Sequence, residues 1–146
     1  MNPLLADEAL EFGSAASKAF AALGKELAPH WVDLPASLRT QWARALVQVR
    51  VARLLAYRTV HAQATGEIPD VFASSARIAV TQCDQQVAEL LFQALDQDSL
   101  AAGPSAPLHG AVEDHWRYAQ AATVASGTIE VQRMIVSKAL LSGASS

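Results

Sequence analysis

From Ala36 to Thr65 the chain runs for thirty residues without a glycine, a proline or an acid. A strand of that length is outside the ordinary range. A helix absorbs it easily, because every residue type present tolerates helical backbone and nothing inside breaks the pattern. At 1.5 Å per residue it spans about 45 Å, longer than the rest of so small a chain is wide. Pro35, just ahead, suits the entry to a helix, and Gly66, just behind, suits its exit. Whatever else 146 residues fold into, they must pack around this rod, and that predicts an all-α bundle.

The flanking segments agree. Between Leu4 and Leu23 the apolar residues Leu5, Ala9, Leu10, Phe12, Ala16, Phe20 and Leu23 recur mostly at three- and four-residue spacing, with Asp7, Glu8 and Glu11 in the first turns. This predicts an amphipathic helix favoured by its dipole and stopped at Gly24. Lys25 to Pro35 holds Pro29 and Pro35 and reads as a loop or broken turn anchored by Trp31. Asp70 to Asp96 is a further helix, and the short connection from Gly66 to Pro69 makes it the antiparallel neighbour of the long one. Asp98 to Gly110, with Gly103, Pro104 and Pro107, is a loop. Ala111 to Leu141 is helical but interrupted at Ser126-Gly127-Thr128, where glycine sits between two capping residue types. The count is five helices and no strand. The organisation is an N-terminal helix and loop over 1–35, a bundle over 36–141 and a disordered tail over 142–146.

Charge divides along the chain. The long helix carries Arg39, Arg44, Arg50, Arg53 and Arg58, whereas the next carries Asp70, Asp84, Glu89 and Asp96 against Arg77 alone. Complementary surface pairs add little energy but favour this pairing. A net charge of -3 and a pI near 5.7 argue against nucleic acid as the ligand. The acidic N-terminus lacks a signal peptide's basic flank and no apolar run approaches the length of a membrane span, so a cytoplasmic location is expected. Cys83, the single cysteine, cannot form an internal disulfide and reads as a small buried hydrophobe.

Motifs for independent chemistry are missing. There is no G-x-S-x-G elbow, no glycine-rich phosphate loop, and no metal-ligand spacing among His30, His61, His109, His115 and Cys83. Glu113-Asp114-His115 suggests acid–base chemistry, but Glu113 and Arg117 stand four apart in the order favoured for a helix-surface pair. The arginine stripe has the guanidinium forks to hold phosphate, but such a stripe is more often a solvated face or the partner of an acidic helix.

The run Ala122-Thr123-Val124-Ala125-Ser126-Gly127-Thr128-Ile129-Glu130-Val131-Gln132-Arg133-Met134-Ile135-Val136 resembles the C-terminal signature of the acyl-CoA dehydrogenases, whose core is Gly-Thr-x-x-(Ile/Val)-Gln-Arg followed by apolar residues. Leu34 to Tyr57 resembles that domain's long Arg- and Leu-rich helix. Ala73 to Leu95 resembles the next, with Arg77 where the family often has Lys. The resemblance implies a helical C-terminal domain and flavin chemistry, in which a carboxylate removes the α-proton of an acyl thioester while the β-hydride passes to FAD.

Against that pattern several parts are replaced. Where many members carry the base, immediately before Gly-Thr, this chain has Ser126, so no catalytic residue is expected. Other members carry the base on an earlier helix; Glu8 and Glu11 offer carboxylates there, but their place in a first turn is better explained by the dipole. The family's flavin-contacting Arg-x-x-Phe-Gly is absent, and Asp96-Gln97-Asp98-Ser99 stands near the place of its Gly-Gly-x-Gly. The length leaves no room for the family's N-terminal helical and central β-domains. FAD is therefore expected only if shared with a partner, with Gly127, Thr128 and Glu130 nearest to it. Apolar residues such as Ile129, Met134, Ile135 and Leu140 exceed what one core needs, and point to a homo-oligomer or to a hetero-oligomer with a larger acyl-CoA dehydrogenase-like subunit that handles acyl-CoA. The alternatives are a stand-alone helical scaffold that lost the chemistry, or a fragment of a full-length enzyme.

Overall fold

A computed structural model describes residues 15–66, 70–125 and 127–143. Among them are five α-helices and no strand: α1 (Ala15–Leu27), α2 (Ala36–Thr65), α3 (Asp70–Leu95), α4 (Ala111–Ala121) and α5 (Ile129–Gly143). The first part of the expected Leu4–Leu23 helix, with Glu8 and Glu11, lies outside the described residues.

The long helix has the limits its composition implies. Gly66 ends it in the left-handed conformation, φ 74°, and returns its N–H to the carbonyls of Ala62 and Gln63, the usual role of a glycine at this position. Gly24, in contrast, does not stop α1, which runs on to Leu27. A glycine inside a helix costs about 1 kcal/mol. The extra turn brings Leu27 against the core, and Pro29 then converts the chain to a 3-10 turn over Ala28–His30. Trp31 packs on the same core, as an anchor for that connection should.

The helices α2 and α3 form an antiparallel hairpin. Near the turn, the Arg58 guanidinium lies 4.2 Å from the centre of the Phe72 ring. At the far end, Arg44 and Gln48 share a cleft with Glu89 and Gln93, so early α2 meets late α3. The charge pairing is not the simple one expected: Asp84 is buried, and its backbone carbonyl meets the His115 ring of α4.

The core sits where α1, α2 and α3 meet. Phe20 stacks on Trp42 at 4.3 Å between ring centres, and Leu23, Leu46, Val49, Val87, Leu91 and Val112 close around them. Fully burying side chains of this size contributes about 1.5–3 kcal/mol each. α1 contributes Phe20 and Leu23 to this core. The loop expected over 98–110 is tightened by 3-10 turns at Asp96–Leu100 and Pro107–Gly110. The break between α4 and α5 begins at Ala122, four residues before Ser126. The last helix continues to Gly143, two residues into the expected tail, with the Ser142 hydroxyl donating to the Ala139 carbonyl.

Candidate functional site at the junction of the last two helices

The region that the sequence singled out, 126–130, is the connection between α4 and α5, and three neighbouring elements fix its shape. The C-cap of α4 and the turn that follows it are held from outside the helix. Arg77, on α3, donates to the carbonyls of Ala122, at 2.8 Å, and Ala125. A cation on the C-terminal carbonyls of a helix satisfies orphan acceptors and opposes the helix dipole. Thr123 and Val124 close tight turns back onto Gln120 and Ala121. Gly127 then reverses the chain at φ 92°, a conformation natural to glycine. A Cβ there would lie 2.9 Å from the Gln132 side-chain nitrogen.

Thr128 starts α5. Its hydroxyl accepts from the Val131 N–H at 3.4 Å, and its carbonyl accepts from the Gln132 N–H at 3.0 Å. This is the capping arrangement expected of threonine at this position. Glu130 follows in the first turn, fully exposed, and its carboxyl is held below the usual range by its own backbone N–H, then by the Thr128 hydroxyl and Arg133. Together with Gln82 and Gln85 of α3, residues Thr123, Thr128, Glu130 and Arg133 line a cleft of about 340 Å³. Ser126 lies outside the described residues.

The other candidates separate. Glu113 pairs with Arg117 on the surface of α4, as the four-residue spacing implies. His115, two residues on, is buried, with Nε2 3.2 Å from the Asp84 carbonyl, and burial pushes its pKa down. With Nε2 donating to that carbonyl, Nδ1 is left without a hydrogen-bond partner. The three residues therefore do not converge on one reacting centre. Among the described residues no three His, Cys, Asp or Glu side chains gather as a metal site, and no helix is long and apolar enough to cross a membrane. Cys83 is buried, and desolvation, with Asp84 adding to it, pushes its thiol up to about 12.

The sequence pattern of the acyl-CoA dehydrogenase C-terminal domain matches residues 4–141. The chain belongs to that family. No curated protein and no solved structure matches it. Within the acyl-CoA dehydrogenase C-terminal domain so defined, the signature Gly127-Thr128 is a left-handed turn plus helix cap, and Arg77 is the tie that holds the turn against α3. That role of Arg77 is not visible in the signature. The hint in the sequence is a lone cation in an otherwise acidic helix.

Proposed function

We propose that this acyl-CoA dehydrogenase C-terminal domain serves as a small docking subunit, packing on a flavin-bearing partner that carries out acyl-CoA α,β-desaturation, and is not catalytic alone. The observation that carries the reading is α5. None of its residues 129–142 is buried, yet Met134, Leu140 and Leu141 are 53, 67 and 72 % exposed. A helix with that much apolar surface open is unfinished as a monomer and suited to an interface. It begins at the signature turn, so a partner covering α5 also meets Gly127, Thr128 and Glu130.

The chemistry of this turn restricts what part of a flavin cofactor these residues would face. The first-turn amides of Glu130 and Val131 are already engaged by Glu130's carboxylate and Thr128's hydroxyl, and Glu130 sets a negative charge beside them. With those two amides taken and the Glu130 carboxylate beside them, the helix N-terminus itself is a poor pyrophosphate site, although Arg133 lines the same cleft. An acceptor at this place suits hydroxyl or N–H groups, which FAD offers on its ribityl chain and ring. FAD supplies the hydride acceptor when bound to the partner. This chain supplies apolar contact and an oriented carboxylate, and with Ser126 in the base position it contributes no proton acceptor to the reaction.

The test is spectroscopic. The purified chain should be colourless, should not take up added FAD, and should not oxidise acyl-CoA, because Ser126 is no base. A yellow, active preparation of this chain alone would overturn the reading.

A further inference from the structure

The long helix is apolar on two opposite sides. One side carries Trp42, Leu46 and Val49 into the core, all at most 3 % exposed. Helical rotation places Val47, Val51 and Leu54 on the other side, where they are 58, 42 and 65 % exposed. Arg44 and Arg58, both exposed, bracket this strip, seven residues on either side of Val51. At the Arg44 end the strip opens into a cleft of about 580 Å³ between α2 and α3, where Gln48, Gln86, Glu89 and Gln93 supply polar groups.

A second copy is the obvious occupant for such a strip, and charge argues against it. In an antiparallel pair centred on Val51, Arg44 of each copy meets Arg58 of the other; in a parallel pair each arginine meets itself. The α2 helix has no acid to intervene, and Glu89, across the cleft, serves only the Arg44 end. Juxtaposed like charges at an interface are strongly disfavoured and select against that partner. An anionic membrane is a poor fit, because Glu89 and the glutamines share the face that would meet the headgroups. Nucleic acid has no use for the apolar centre of the strip.

We infer that this outer face of α2 docks an acidic amphipathic helix from a different chain: apolar residues over Val47, Val51 and Leu54, and carboxylates about fourteen residues apart opposite Arg44 and Arg58. The inference rests on the reading of the domain as a docking subunit and gives its partner a chemistry. It also gives the apolar outer face of α2 a purpose that the bundle's own core does not supply.

The test uses a charge-reversed copy as the acidic helix. Val51→Cys is placed in the natural chain and in an Arg44→Glu/Arg58→Glu chain, and the two are mixed in a glutathione redox buffer. Cys83 is buried with its thiol pushed up to about 12, so it stays out of the exchange. Mass spectrometry should show the mixed disulfide dimer exceeding either homodimer by roughly ten-fold at low salt, with the preference falling as salt rises. Leu54→Asp, at an exposed position, should abolish the mixed dimer while leaving the helical circular dichroism unchanged. Homodimers of the natural sequence forming as readily as mixed ones would overturn the inference. So would no preference at all, or binding to phosphatidylserine vesicles without a mixed dimer. The docking-subunit reading fails separately, by a yellow and active isolated chain, whatever this cross-link shows.

Discussion

Asp84 is a carboxylic acid 3 % exposed in an apolar seam, with one oxygen lacking a hydrogen-bond partner. Burial pushes its pKa from an ordinary 3.8 to about 6, against a smaller pull down from Arg77. A raised carboxyl pKa means that the folded state keeps a proton the unfolded state has lost, so stability falls as pH rises from about 4 through 6. The upper bound for a shift of this size is about 3 kcal/mol. His115 tilts the other way: its pKa is lowered by burial, so stability falls as pH drops below the ordinary histidine range. Asp84→Asn should therefore stabilise the fold above pH 6 and leave only the acid-side loss. Denaturant titrations at several pH values measure this, and an unchanged slope between pH 4 and 7 would count against it. Thr128→Ala removes the α5 cap and should cost about 1 kcal/mol; an unaltered melting curve would contradict the capping role. The Thr128 cap was legible in the sequence because capping is local chemistry. Asp84's burial was half legible. It shares the helical stripe of Val80, Val87 and Leu91, but a periodic pattern does not say which acid on a stripe the fold will tolerate inside.

At the scale of elements, α2 could be read to the residue because thirty residues without a breaker leave one solution. The α1 boundary could not, since the cost of Gly24 in a helix is smaller than the gain from packing one more turn. The α4 boundary depends on Arg77, a side chain 45 residues away from Ala122, and no local signal carries that. Arg77→Met should free the C-cap carbonyl of Ala122 and the turn carbonyl of Ala125 from a charged donor. A hydrogen bond to a charged group contributes about 1.5–3 kcal/mol, reduced here because the site is half-exposed, so a loss of about 1–2 kcal/mol is expected. Hydrogen exchange should speed up locally at 122–125 and in the first turn of α5, while the α2–α3 hairpin stays protected. Uniform exchange across the molecule would show that the tie is not local.

On the scale of the whole molecule, the described residues close a core where α1, α2 and α3 meet and leave apolar side chains open on α5 and on the outer face of α2. Family membership accounts for the fold and the turn at Gly127-Thr128, and the departures from the family pattern, chiefly Ser126 and Asp96-Gln97-Asp98-Ser99, are what motivate the proposal that this chain does not catalyse alone. An account in which the domain completes another protein is tested most directly by isolating it, tagged, from its native source at low salt and reading native mass and visible absorption on the same sample. The predicted result is a complex with a larger subunit showing a flavin spectrum, which loses that subunit when Met134 and Leu140 are both changed to Asp. A colourless monomer from the same preparation would contradict it.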